Sequence, residues 1–258
     1  MVLYKAKIKS HKEIVPNIFK MKLEAAEIAG IVNPGQFIQL YLPNGKNMLA
    51  RPFSISSVSD DDVTIVYRIV GRGTEMLSTL RKNDFIQIMG PLGNGFTLSG
   101  NNESNLVIGG GLGIPPLLEL SRRLHGKTEI LLGYSDEPFM VEDFQRLGLN
   151  VNISTQSGSY GFHGNVLELL ESINPSADQI FACGPRSMLK SVSAWAKKHS
   201  IPIQVSMEER MACGMLRSMH SLKKCLAALV KRCGLQRHLT AITAKIFLSE
   251  ITLRAISI

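Results

Sequence analysis

The chain has 258 residues, 45% hydrophobic and 19% charged, an ordinary globular balance with room for two domains of about 100–200 residues each. No apolar run reaches the roughly 20 residues of a membrane-spanning helix, and the alternating start Met1–Lys7 has no long apolar stretch with a small-residue cleavage site, so a cytoplasmic protein with no membrane partner is expected. The formal charge of +8 sits almost wholly at the end: residues 214–258 hold eight Lys/Arg against one acid, Glu250, leaving +1 for residues 1–213, so nucleic acid is not an expected partner.

From Leu3 to about Phe96 the pattern is one of short strands divided by turns. Alternation predicts strands at Tyr4–Ile8, Gln36–Leu42, Val63–Tyr67 and Phe85–Met89, punctuated by Pro34-Gly35 and Gly90-Pro91. Closely spaced strands with such turns predict a small antiparallel β-barrel, because closure removes exposed sheet edges. After Asn101–Asn105 the grammar changes. Buried apolar strands at Leu106–Ile108, Ile130–Leu132, Val151–Ile153 and Gln179–Ala182 alternate with predicted helices at Pro115–Leu124, Val141–Leu147, Asn165–Ser172 and Arg186–Lys198. That alternation predicts a doubly wound α/β domain on a parallel sheet. The boundaries expected are 1–98 for the barrel and 99–205 for the α/β domain.

Three segments carry chemistry. Arg51-Pro52-Phe53-Ser54 and Arg68-Ile69-Val70-Gly71-Arg72-Gly73-Thr74 set a cation, an aromatic ring and a hydroxyl beside a glycine turn. Those groups can pair a phosphate, stack on a ring and hydrogen-bond a ring nitrogen, a set suited to a flavin dinucleotide; a barrel strand with a buried Phe explains the same residues without a ligand. Gly109-Gly110-Gly111-Leu112-Gly113-Ile114-Pro115-Pro116 joins a strand to a helix, the arrangement that lays a pyrophosphate on unpaired amides. Cys183-Gly184-Pro185 stands at a second strand-to-helix turn, where Cys183 is either a small buried residue or part of a nicotinamide pocket.

The order of these segments resembles the ferredoxin-reductase superfamily over residues 1 to about 205. Within it, Glu208-Glu209-Arg210-Met211-Ala212-Cys213-Gly214 and the stretch Thr155–Gly164 resemble the electron-transfer subunits of dihydroorotate dehydrogenase B, although Gln156-Ser157 stands where that family has acidic residues. The resemblance implies FAD on Arg51, Pro52, Phe53, Ser54, Arg68, Ile69, Val70, Gly73 and Thr74. It implies NAD on Gly109, Gly110, Gly111, Gly113, Ile114, Pro115, Cys183, Gly184 and Pro185. It further implies a [2Fe–2S] cluster with Cys213 as first ligand, and a catalytic FMN-containing partner in a heterotetramer of two plus two chains. The function so implied is electron transfer between that partner's FMN and NAD, through the cluster and FAD, in pyrimidine (UMP) biosynthesis. A stand-alone flavin or ferredoxin-NAD(P) reductase is the alternative, which Cys213 after Glu208-Glu209-Arg210 disfavours; a non-catalytic binder with a basic tail is a third.

Beyond Cys213 the chain departs from the family. Plant-type [2Fe–2S] sites space three cysteines by four and two residues with a fourth further on, whereas here Cys213, Cys225 and Cys233 are separated by eleven and seven. Three thiols do not make a four-thiolate site. Reading one base later gives cysteine across Met219-His220 whatever the codons, and across Leu216-Arg217 and Leu235-Gln236 when the leucine codons end in TG and that of Arg217 begins with C. A frame displaced near Met215 is therefore expected, with 206–258 a degenerate remnant of the cluster domain, in keeping with a tail that lacks both Pro and Asp. A genuine basic helix around Leu222–Leu229 is the competing explanation.

Overall fold

The computed structural model describes residues 2–42, 50–98, 100, 103–207 and 255–257. The chain opens with β1 (Val2–Val15), whose alternation buries Ala6 and Ile8 and turns Lys5 and Lys9 to solvent. β2 (Ile18–Glu24) returns antiparallel, followed by α1 (Ala26–Ala29), β3 (Phe37–Tyr41), β4 (Arg51–Ser59) and β5 (Asp62–Arg68). Then come α2 (Arg72–Ser78) and β6 (Phe85–Leu92), which pairs back onto β1 and closes a six-stranded antiparallel barrel in the order β1-β2-β5-β4-β3-β6. Inward side chains including Met21, Leu23, Ile38, Leu40, Ile65 and Ile88 fill it and are fully buried. Each such side chain contributes about 1.5–3 kcal/mol by leaving water, so the alternation itself fixes the register.

The second half is a parallel sheet. β7 (Ser104–Gly110) runs through a tight turn, Gly111–Gly113, into α3 (Pro115–Arg123). β8 (Lys127–Tyr134), α4 (Val141–Gln145), β9 (Asn150–Thr155), β10 (Phe162–His163), α5 (Val166–Ile173), β11 (Gln179–Cys183), α6 (Arg186–Lys198), β12 (Ile203–Met207) and β13 (Ala255–Ser257) follow. The strand order β10-β9-β8-β7-β11-β12-β13 places β7 in the middle, with successive strands leaving to either side. That makes the sheet doubly wound, with its switch point between β7 and β11. Leu106, Ile108, Leu131, Ile180, Leu170, Val192 and Trp195 make the core on one face.

Two differences from the sequence reading have clear causes. The alternation of β4 is broken by a bulge between Ile55 and Ser57, so Ile55 and Ser56 are both buried in succession and the segment reads as a motif rather than a strand. Gly73-Thr74, expected in a glycine turn, lies inside the first turn of α2. Cys213, Cys225 and Cys233, and the expected cluster remnant 206–258 except for Ser206 and Met207 of β12 and for β13, lie outside the described residues.

At the start of β7 the Asp178 carboxylate accepts from the Ser104 and Glu103 backbone N–H groups (2.9 and 3.0 Å) and from the Ser104 hydroxyl (3.2 Å). The Ser104 N–H above all holds this carboxyl below its ordinary range. A carboxyl with a lowered native pKa stabilises the fold above its unfolded pKa and loses that contribution as pH falls through the native one. Asp178→Asn is therefore expected to be less stable than wild type at neutral pH and to approach it below about pH 3, since the ordinary carboxylate value is about 3.9. Thermal unfolding across pH measures this; parallel curves for the two proteins would refute it.

Candidate cofactor sites

The first cluster stands at the mouth of the barrel. Arg51 opens β4, and its guanidinium lies over Gly73: a Cβ on Gly73 would sit 2.7 Å from Nε and 3.0 Å from Nη2. Only a glycine leaves that space. Thr74 Oγ1 accepts from the N–H of Val70 (2.9 Å) and of Gly71 (3.2 Å) and donates to the Gly71 carbonyl (2.9 Å), which fixes the bend between β5 and α2. Around the bend the surface is open. Gly71 has no atom within 4 Å of where its Cβ would be, Val70 is 78% exposed, and Arg68 faces solvent. Ile69 donates its N–H to Asn17, while Pro52, Phe53 and Ser54 pair with Gln39, Ile38 and Phe37 across β3.

Behind Phe53 lies a set of rings that the sequence reading missed. Phe53 tilts against Tyr67 at 5.4 Å, and Tyr67 stacks on Phe19 at 5.7 Å. His11 Nδ1 lies 2.7 Å from the Leu80 carbonyl and Nε2 lies 2.9 Å from the Tyr67 hydroxyl. The carbonyl can only accept, so Nδ1 carries the proton, and in a neutral ring Nε2 then accepts from Tyr67. Burial favours both neutral forms, lowering the His11 pKa and pushing the Tyr67 phenol far above its ordinary value. Phe53 therefore rests on a rigid, uncharged wall.

The second cluster lies at the carboxyl ends of the parallel strands. A Cβ on Gly109 would sit 2.8 Å from Ile114 Cγ1 and 3.0 Å from Leu117 Cδ1, so its absence lets α3 lie close to β7. Pro115 occupies the first turn of α3, where its missing N–H leaves no unmet bond. Gly113 packs on the backbone of Cys183 and Gly184, and the Cβ position of Gly110 lies 3.2 Å from Pro185 Cδ. The two strand-to-helix turns thus meet. Cys183 is 4% exposed.

A cleft of about 350 Å³ opens over this junction. Gly110, Gly111 and Pro185 line it, whereas Gly109, Gly113, Ile114, Pro115, Cys183 and Gly184 do not. Gly133, Tyr134 and Ser135 at the end of β8, Gln156 after β9, Asn165 before α5 and Ser187, Met188 and Ser191 of α6 complete the lining with Val166 and Leu167. The first turns of α5 and α6 both face it, giving two positive helix ends, and α6 has no side-chain cap on its first N–H groups. Asn165 caps α5 by accepting from Leu167 and Glu168 (2.9 and 3.2 Å). Among the described residues no cluster of His, Cys, Asp or Glu could hold a metal, and no helix is long and apolar enough to cross a membrane.

The two halves are joined by polar contacts. Glu119 of α3, fully buried, accepts from the Val58 N–H of β4 at 3.1 Å while Arg122 and Arg123 pair with it at 2.6 Å. Lys20 of β2 pairs with Asp143 of α4 at 2.9 Å, and the Gln204 side chain bonds both the N–H and the carbonyl of Thr97 (2.9 and 2.8 Å).

Residues 5–96 match the oxidoreductase FAD-binding domain family. The chain is 37% identical over 212 residues to the dihydroorotate dehydrogenase B (NAD(+)) electron transfer subunit of Caldanaerobacter subterraneus, covering 82% of this chain and 84% of that one. It is 39% identical over 214 residues to the subunit of the same name from Streptococcus mutans, covering 80% and 82%. Among solved structures, an NADH-dependent reduced ferredoxin-NADP oxidoreductase superposes with a TM-score of 0.74 at 25% identity over 81% of this chain and 79% of its own. A ferredoxin NADP+ reductase from Neisseria gonorrhoeae, solved with FAD and NADP, shares the fold at a TM-score of 0.67, 17% identity, 79% of this chain and 98% of that one. The barrel with its Arg51–Gly73 contact, the doubly wound sheet with its paired glycine turns, and these identities together place the chain in the family of dihydroorotate dehydrogenase B electron transfer subunits.

Proposed function

We propose that this chain carries electrons between NAD(H) and a catalytic dihydroorotate dehydrogenase chain, in the cytoplasm, in the service of pyrimidine synthesis. The observation that carries this reading is the sharing of elements between the two clusters. β4 begins with the flavin-side residues Arg51–Ser54 and receives α3 at Val58, and α3 begins at the glycine turn of the cleft. The domains proposed are 1–98 for FAD, 99–205 for NAD and 206–258 for the cluster remnant.

The barrel mouth fits a flavin dinucleotide. Arg51 would hold a phosphate, with Gly73 leaving room for its guanidinium and Thr74 fixing the bend beside it, Ser54 would offer a hydroxyl to the ring edge, and Phe53 would back the ring on its neutral wall. Arg68, Ile69 and Val70 line the open approach, with Pro52 beside them. In the cleft, Gly110 and Gly111 would meet the dinucleotide pyrophosphate, on a turn that Gly109, Gly113, Ile114 and Pro115 hold in place by packing, and Pro185, backed by Cys183 and Gly184, would bound the nicotinamide end. FAD, when bound, supplies the exchange between two-electron and one-electron transfer. The protein's part is to orient both dinucleotides and keep water from between them.

The cysteines do not fit a standard cluster. Cys213, Cys225 and Cys233 provide three thiols, Cys183 is buried against the glycine turn, and no electron step is assigned beyond the flavin. The proposed partner is an FMN-containing catalytic chain, two copies with two.

Coexpression with that chain, followed by assay of flavin and iron per complex and of NADH-driven reduction of an added acceptor, tests the reading. Bound FAD with NADH oxidation supports it; absence of flavin overturns it; activity without complex formation would make the chain a stand-alone reductase. Gly73→Ala sharpens the test. Its methyl displaces the end of a flexible Arg51 side chain rather than backbone, so the fold survives while the phosphate loses a charge-assisted bond. FAD affinity should fall about tenfold or more, as loss of roughly 1.5–3 kcal/mol implies. Flavin retention after gel filtration measures it, and full retention would remove Arg51 from the site.

A further inference from the structure

The cleft runs from β11 across β7 and β8 to β9, three strand spacings or about 14 Å, the reach of an adenosine diphosphate. Its far wall ends at Gln156, the first residue of an exposed turn, Gln156–Ser159. Resting on the dinucleotide reading of this cleft, we propose that the turn is the ribose-2′ subsite, and that it admits a 2′-hydroxyl and a 2′-phosphate with comparable affinity. The chain then accepts both NADH and NADPH.

The turn is built before any ligand arrives. Buried Thr155 holds it from below, its hydroxyl donating to the Tyr160 carbonyl (2.8 Å) and accepting from the Tyr160 N–H (3.2 Å). Gln156 donates its N–H to the Tyr134 carbonyl at 3.2 Å, tying the turn to the end of β8. Gly158 takes a left-handed φ of +71°, and a Cβ there would sit 2.9 Å from the His163 ring, so the imidazole packs beneath the turn. The Ser157 and Ser159 hydroxyls, 2.6 Å apart, both stand exposed.

Charge is what discriminates the two dinucleotides. A carboxylate in this place accepts from a 2′-hydroxyl and repels a 2′-phosphate, whereas an arginine does the reverse. This turn has neither. From Asn150 to Leu167 there is no Asp, Glu, Lys or Arg, and no charged side chain lines the cleft. Asp136, Glu168, Arg186 and Lys190 adjoin lining residues in sequence but do not themselves line the cleft, and the Glu168 carboxylate is taken up by the Asn165 N–H. An amide and two hydroxyls both donate and accept, so Gln156, Ser157 and Ser159 can serve a hydroxyl or a phosphate in turn.

The test is calorimetric titration of the flavin-loaded full chain with 5′-AMP and with 2′,5′-ADP, which differ at the 2′ position alone. Dissociation constants within about tenfold of each other are expected. Adding or opposing one charge-assisted hydrogen bond at a solvent-exposed position changes binding by about tenfold. Gln156→Glu should therefore weaken 2′,5′-ADP by that factor with 5′-AMP nearly unchanged, and Gln156→Arg should tighten 2′,5′-ADP equally. A hundredfold wild-type preference for either probe, or Gln156 variants that keep the wild-type ratio, would overturn the subsite while leaving the dinucleotide reading intact. If neither probe binds, the dinucleotide reading of the cleft falls and the subsite with it.

Discussion

Gly113→Ala is expected to lower the unfolding temperature by about 10 °C and to cost the cleft most of its affinity for dinucleotides. The methyl would enter the backbone of Cys183 and Gly184, carbonyl carbon, oxygen and amide nitrogen together. A clashing side chain can rotate away; a backbone held in the ladder that pairs Cys183 with Gly109 cannot. Overpacking ordinarily costs about 1–3 kcal/mol, and with no rotamer to yield, the upper end applies. For a protein of this size, 3 kcal/mol corresponds to roughly 6–12 °C in Tm. The strain also separates the walls of the cleft, because Gly110 and Gly111 are on one turn and Pro185 is on the other. Gly111→Ala is the control. Its φ is +52° and nothing lies within 4 Å of its Cβ position, so it should cost only about 1–2 kcal/mol, the left-handed penalty. Thermal unfolding of the two variants side by side decides the matter, and a Gly113→Ala Tm within a degree or two of wild type would mean the turns do not meet as described.

How much of this was legible depended on whether a residue's signal was local. The strands of the parallel sheet were legible as apolar runs because both faces of that sheet are covered, and the structure extends β7 and β8 by residues whose polar side chains hid the ends: Ser104 and Asn105 before Leu106, Lys127 to Glu129 before Ile130. The barrel strand β2 alternates as cleanly as any, with Met21 and Leu23 inward and Lys20 and Lys22 outward, and could have been read from that pattern. β4 could not, since its bulge breaks the alternation. The glycine turns of the α/β half were legible because close packing at Gly109, Gly110, Gly113 and Gly184 and a left-handed φ at Gly111 favour glycine. The cleft's far wall was not, for Ser135, Asn165, Ser187 and Ser191 are scattered and have no period. Only the rule that ligands sit beyond the carboxyl ends of parallel strands points to the residues just after β8 and β9. Glu119 is a charged residue on a predicted helix, and the helix pattern alone cannot tell that its neighbour is the barrel.

Glu119→Ala carries the second large effect. Its carboxylate is buried, accepts the Val58 N–H, and is paired with Arg122 and Arg123, so truncation leaves four N–H donors without their partner. Breaking a buried charged pair typically costs about 3–5 kcal/mol, but both arginines are partly exposed and can turn to water, so about 2–4 kcal/mol is expected. Glu119→Gln keeps an acceptor for Val58 at the same position and should recover roughly half of that, since a neutral hydrogen bond is worth about half a charge-assisted one. The functional consequence is larger than the stability loss implies. On the proposed reading α3 starts at the dinucleotide turn and β4 at the flavin-side Arg51, so the contact between Val58, near the end of β4, and Glu119, midway along α3, would set how the two bound rings face each other. Misplacement by about 1 Å can cost roughly a hundredfold in rate even far from the chemistry. Glu119→Ala should therefore retain FAD after gel filtration and bind 5′-AMP nearly as wild type does, yet show flavin reduction by NADH slowed by about that factor in stopped flow, with Glu119→Gln between. Equal losses in FAD retention, nucleotide binding and reduction rate would make Glu119 a plain stability residue. A wild-type reduction rate in Glu119→Ala would mean that the Lys20–Asp143 and Gln204–Thr97 contacts suffice to hold the two halves in register.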